Sequence, residues 1–216
     1  MSGDVTNRAT QGTLRTFIAI DLPTPILDAL ANTQERVQAF LRDQGIPKAL
    51  RWSPVKNLHL TLRFLGDTTP RQVKQVTERL QQIAAEVPPF TLRVDSSAKA
   101  LGGFPNLRQP RVLWSGVEGD LNTLRRAQAQ IEAAIQAEGF APEEKAFSPH
   151  LTLARASRDA DRRALMQVGQ AIGEFAKLST GAEALSFQVN YLVFYRSELA
   201  AGGSRYTPLA KVPFRL

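Results

Sequence analysis

Two stretches decide how this chain is read: NLHLTLRFLG at 57–66 and SPHLTLARA at 148–156. Both contain His-Leu-Thr-Leu, at His59 to Leu62 and at His150 to Leu153, and these two histidines are the only ones in 216 residues. At ordinary residue frequencies a given histidine precedes one chosen three-residue string on the order of once in a thousand cases or less, so chance repetition is a poor explanation. Each copy alternates apolar and polar residues, and Gly66 and Pro149 punctuate the ends, which predicts two β-strands. Side chains two apart share a face of a strand, so His59 lies beside Thr61 and His150 beside Thr152, with the four leucines turned to a core. Arg63 is two residues beyond Thr61 and shares its face if the strand stays regular. Arg155 is three beyond Thr152, so a bend or strand end after Leu153 has to re-aim it.

The residue types suggest a chemistry. An imidazole titrates near pH 6.5, so at neutrality one ring can serve as base while a second serves as acid. Threonine hydroxyls can donate to non-bridging oxygens as charge builds on them. Two such sets around one phosphorus describe phosphodiester hydrolysis by in-line displacement. A zinc site would need carboxylates to complete it, and none lies beside either motif, so no metal and no cofactor is expected.

Working outward, the segment 14–22 is an apolar strand ended by Pro23 and Pro25, and its Phe17 is a candidate for stacking on a base or, more simply, for core packing. Helices are expected at 25–43, at 70–86, over 120–139 with Asp120 or Asn122 as cap, and at about 159–175. Arg51-Trp52 forms a short strand, with Trp52 read as core. Strands follow at 90–101 and 111–117, joined by the Gly- and Pro-rich loop 102–110, which carries Phe104 and Arg108 as possible nucleotide contacts or, more simply, as plain loop residues. Further strands are expected at roughly 182–195 and 205–215. The plan of helix followed by motif strand occurs twice, with 91 positions between the histidines.

These motifs, together with RTFIAIDLP at 15–23, RWSPVKNLHLTLRFLG at 51–66, GGFPNLRQPRVLWSGV at 102–117, FSPHLTLAR at 147–155, and VFYRSEL and GGSRYTPL near the end, resemble the two-histidine phosphoesterase superfamily. Within it they look like the bacterial RNA 2',3'-cyclic phosphodiesterases once described as 2'-5' RNA ligases. The resemblance implies an α+β fold of two pseudo-symmetric lobes, each an antiparallel sheet packed against helices, with the active-site cleft between them. It implies metal-independent opening of RNA or nucleotide 2',3'-cyclic phosphate ends to 2'-phosphates, with His59 as acid and His150 as base, although a near-symmetric site permits the reverse. An arginine at the place of Arg155 contacts the substrate phosphate in the resembled enzymes. Thr207-Pro208 and Tyr195-Arg196-Ser197 match family strings of structural meaning, outside the site. RNA-end binding or 2'-5' ligation in the same cleft, or cleavage of another small phosphodiester, are the alternatives.

Composition sets limits around this reading. A chain with 43% hydrophobic residues suits one domain at 15–216, here of two lobes, preceded by a polar tail at 1–14 that is read as flexible and lacks the apolar stretch of a secretory signal. No apolar run approaches the roughly 20 residues of a membrane helix. The absence of cysteine suits a reducing cytoplasm. A net charge of +7 favours a polyanionic partner such as RNA; no obligate protein partner is evident and a monomer is expected.

Overall fold

The computed structural model describes residues 12–95, 100–178, 184–200 and 203–215. Residues 1–11 of the expected tail lie outside them. The element order is β1 (Leu14–Asp21), α1 (Thr24–Asp43), β2 (Leu50–Trp52), a 3-10 turn (Val55–Asn57), β3 (His59–Thr68), α2 (Pro70–Glu86), β4 (Phe90–Asp95), β5 (Leu101–Phe104), β6 (Val112–Gly116), β7 (Glu118–Gly119), α3 (Leu121–Ala137), β8 (His150–Ala156), α4 (Arg162–Leu178), β9 (Ala184–Val189), β10 (Tyr191–Ala200) and β11 (Gly203–Pro213).

Local chemistry explains where the helices begin. Thr69 accepts from the Gln72 amide, and the Gln72 side chain accepts in return from the Thr69 amide, a reciprocal capping box ahead of Pro70. Asp120, not Asn122, caps α3 by accepting from Thr123 N at 3.0 Å. The last helix starts later than its periodicity suggests because Asp161 accepts from Ala164 N at 2.7 Å and fixes the first turn there.

The strands form one long sheet, in the order β11-β10-β1-β3-β8-β6-β5 with β2 also on β8, and a small sheet β7-β4-β9. Every observed pairing is antiparallel. Two sequence expectations change here. The stretch expected as one strand at 90–101 contributes β4 to the small sheet and β5 to the long one, and that expected at 182–195 divides at Asn190 into β9 and β10, again in different sheets. The glycine-rich start of the 102–110 loop is also strand: Gly102 lies under the Trp114 indole so closely that a Cβ there would stand 2.1 Å from the ring. Those glycines signal close approach rather than irregular backbone.

The α+β architecture is the expected one, and its two lobes are interleaved along the chain. One lobe combines β1 and β3 with β10 and β11; the other combines β8, β6 and β5 with β2. Helices α2 and α3 pack together, as do α1 and α4. Leu60, Leu62, Leu151 and Leu153 all enter a core shared with Leu30 of α1, Leu80 of α2, Ile131 of α3 and Ile172 of α4. The two motif strands meet at a single pair, Leu60 opposite Leu151, at the middle of the long sheet.

Candidate active site

Antiparallel pairing at Leu60–Leu151 brings the two motifs side by side, with His59, Thr61, His150 and Thr152 on the face of the sheet opposite the four buried leucines. Each ring is oriented in the same way. Nδ1 of His59 donates to the Asn57 carbonyl at 2.7 Å, and Nδ1 of His150 donates to the Ser148 carbonyl at 2.7 Å. A carbonyl can only accept, so the neutral rings carry their proton on Nδ1 and leave Nε2 as the free base.

Aromatic side chains hold both rings. Phe17 lies 4.9 Å behind His59 and Tyr206 meets it edge-on at 5.3 Å; Phe104 meets His150 edge-on at 4.9 Å, with Trp114 at 6.3 Å. Phe17 is 1% exposed, so it packs behind the histidine and offers no face to a base, in agreement with the simpler of its two readings. Burial pushes both histidines below the ordinary imidazole value. Their surroundings then differ. At His59 the Asp21 carboxylate works in the raising direction and Arg155 and His150 in the lowering one, whereas at His150 Arg155 acts, also lowering. Asp21 is itself held by the Tyr195 hydroxyl at 2.7 Å.

Both motif strands carry a β-bulge at the fourth motif residue. In β3 the partner register passes from Ala19–Thr61 to Ile18–Arg63, leaving Leu62 as the extra residue; in β8 it passes from Trp114–Thr152 to Leu113–Ala154, leaving Leu153. A bulge reverses the facing of everything after it. Arg155 is thereby brought to the cleft side, by the kind of bend its place in the sequence required. Arg63 goes the other way, which corrects the expectation that it shares a face with Thr61. It is 7% exposed, with Nε 2.7 Å from Glu132 of α3 as an ion pair off the hydrogen-bond axis, Nη1 bonded to Glu143 at 3.0 Å and Nη2 to the Ala141 carbonyl. Arg63→Met is expected to lower stability by about 2 kcal/mol, less than for a fully buried pair because Glu143 is partly solvated, and to leave kcat of the folded protein near the parent value. Chemical denaturation with parallel rate assays checks both.

Helices brace the bulges crosswise. Gln34 of α1 donates to the Leu153 carbonyl at 2.9 Å, which also accepts from Ser53 N at 2.8 Å, and Gln128 of α3 reaches the Leu62 carbonyl at 3.5 Å. The helix preceding each motif thus supports the bulge of the other.

The resulting cleft, of about 240 Å³, is lined by His59, Thr61, Thr152, Arg155, Arg51, Trp52, Phe64, Leu199 and Tyr206 among others. His150 is not among the lining residues; its charge is felt at His59, and Phe104 packs edge-on against its ring. Phe104 is therefore placed against a motif histidine, whereas Arg108 is exposed in the following loop and is not among the cleft residues. Phe64, Tyr206 and Arg51 are cleft residues with no role in the sequence expectations, and the half-buried Trp52, expected as core, lines the cleft as well as packing against the core. The signal for Phe64 was present: it sits five residues after His59, as Arg155 sits five after His150. Phe64 is 54% exposed, unusual for a phenylalanine with a core available. Neither Arg51 nor Arg155 has an ion-pair partner among the described residues, so the cleft keeps an uncompensated positive charge. Among the described residues no group of three His, Asp or Glu side chains is disposed to hold a metal.

The model of the 2'-5' RNA ligase superfamily matches residues 27–200. An RNA 2',3'-cyclic phosphodiesterase of Aeropyrum pernix is 30% identical over 177 residues, covering 82% of this chain and 92% of that one. Among solved structures, TT0787 of Thermus thermophilus superposes with a TM-score of 0.71 at 28% identity, covering 94% of this chain and 98% of that one. E. coli LigT complexed with 3'-AMP superposes at 0.65 and 27% identity, covering 94% and 99%. Fold and paired motifs together are those of a two-histidine phosphoesterase. The chain belongs to the 2'-5' RNA ligase superfamily.

Proposed function

We propose that this chain is a metal-independent RNA 2',3'-cyclic phosphodiesterase. The observation that carries the reading is the matched orientation of the two imidazoles, each with Nδ1 spent on a backbone carbonyl and Nε2 left for substrate, beside two threonines and an Arg155 that has no ion-pair partner among the described residues. Relatives carrying the same activity in their names, and a solved relative with a bound adenosine monophosphate, support it.

In this reading water attacks the cyclic phosphorus as His150 Nε2 takes its proton, the P–O3' bond breaks, and the protonated His59 delivers its Nε2 proton to O3', leaving a 2'-phosphate. The carboxylate of Asp21 favours the charged form of His59 and has no counterpart at His150 among the described residues, which supports this division of roles. Thr61 and Thr152 donate to the non-bridging oxygens and Arg155 neutralises the growing charge. Phe64, presented at the place in its strand that Arg155 occupies in the other, stacks on the terminal base. Phe64→Ala is expected to raise KM about tenfold with a smaller change in kcat, since stacking on an aromatic side chain is worth about 1–3 kcal/mol per base.

No described helix is long and apolar enough to cross a membrane. The reading takes residues 15–216 as one two-lobed catalytic domain acting as a cytoplasmic monomer; the interleaved strands support the single domain and the lack of cysteine supports the compartment. The test is to incubate the protein with an oligonucleotide ending in a 2',3'-cyclic phosphate in the presence of chelator. A 2'-phosphomonoester is expected. An unchanged end, or activity that appears only with added metal, overturns the mechanism, and a 2'-5' joined product would indicate ligation instead.

A further inference from the structure

The cleft does not end at the catalytic residues. Arg51 lines it on one side and on the other lines an open groove of about 530 Å³ that continues along Pro47, Lys48, Ser157, Arg158 and Asp159. A further open depression of about 610 Å³ takes over from Lys48 and Ser157. We propose that this groove is a track for RNA upstream of the reacting end, in which Arg51, Lys48 and Arg158 hold backbone phosphates of the preceding nucleotides. The proposal rests on the cyclic-phosphate reading above and extends it from the terminal nucleotide to the strand that carries it.

Three observations carry it. First, the groove's charge is unspent: Lys48, Arg51 and Arg158 are exposed and form no ion pair among the described residues, and against their three positive charges the groove wall offers only Asp159. Elsewhere on the chain several exposed arginines do find carboxylates, as Arg79 does with Glu138 and Arg93 with Glu118. Second, the charges begin beside Arg155, the residue assigned above to the reacting phosphate. Arg51 is the cross-strand neighbour of Arg155, and Lys48, three residues earlier, stands at most about 10 Å further along the chain. Third, the groove has a held backbone. Its two walls are the segments leading into β2 and out of β8, and they are tied by the β2–β8 ladder and by a hydrogen bond from Ser157 N to the Ala49 carbonyl at 2.9 Å. A cation row on anchored backbone, open along one side and continuous with the site of reaction, suits a single strand held by its phosphates and leaves its bases unread.

The experiment compares a cyclic mononucleotide with an octanucleotide ending in the same cyclic phosphate, using the full chain and its Lys48→Ala/Arg158→Ala variant. Both residues are exposed, and turnover of the mononucleotide reports that the variant is folded. The parent is expected to prefer the octanucleotide in kcat/KM. The variant should lose roughly tenfold on the octanucleotide, keep its mononucleotide rate within about twofold, and show a salt dependence of log kcat/KM shallower by about 1.4, the share of two phosphate contacts on a single strand. Equal kcat/KM for the two substrates in the parent, or a variant that falls equally on both or on neither, overturns the track while leaving the cyclic-phosphate reading in place. A parent that opens neither substrate overturns that reading and the track with it.

Discussion

Replacing His150 with alanine is expected to slow opening of a 2',3'-cyclic phosphate end by about 10²- to 10⁴-fold, and His59→Ala should do the same, the usual cost of removing a general base or acid. The double variant should fall little below either single one, because groups acting in one proton-transfer cycle do not contribute independently. The pH dependence separates their roles. The base must be neutral, so the rate rises with pH through the His150 titration; the acid must be protonated, so the rate falls with pH through that of His59. Burial lowers both titrations, and the maximum of kcat/KM is therefore expected on the acid side of 6.5. His150→Ala should abolish the acidic limb of the bell and His59→Ala the alkaline one. Retention of full rate by either variant, or exchange of the two limbs, refutes the assignment. Both rings are only partly buried at the strand surface, so thermal unfolding should show that the variants fold.

Arg155→Ala is expected to cost about 10²- to 10³-fold in kcat, the scale seen when a donor aimed at developing oxyanion charge is removed. Arg155→Lys should recover only part of this, since lysine keeps the charge but not the planar fork that meets two phosphate oxygens at once. The side chain is exposed and has no ion-pair partner among the described residues, so neither substitution should alter stability measurably. A kcat for Arg155→Ala within a factor of a few of the parent would show that the charge binds substrate without acting on the transition state.

What the sequence discloses and what it conceals follow from range. Thr69, Asp120 and the apolar spacing of α2 and α3 act within a few residues, and the helices they define are legible from the letters alone. The pairing of His59 with Thr61 is legible for the same reason, since alternation holds until something interrupts it. The interruptions at Leu62 and Leu153 depend on partner strands and on amides from Gln34 and Gln128, which are remote in the chain. Arg63 therefore looked like a cleft residue and is an anchor for α3, while Phe64, one position on, takes the place in the cleft. The crosswise bracing is equally hidden, because no local pattern says that the helix before one motif will support the other. Division of apparently continuous strands at Asn190 and after Asp95 is hidden too, because the partners that claim each half are remote in the chain.

The duplicated imidazoles, hydroxyls and backbone hydrogen bonds look the same from either end, so by themselves they would accept a cyclic phosphate in two opposite poses and release either ribose oxygen. The symmetry is broken at the residues the two bulges deliver, an aromatic ring at 64 and a guanidinium at 155. In the proposed reaction those two positions, together with the carboxylate of Asp21, dictate regiochemistry: the histidines supply the speed, and the point at which the two copies differ decides which bond is broken.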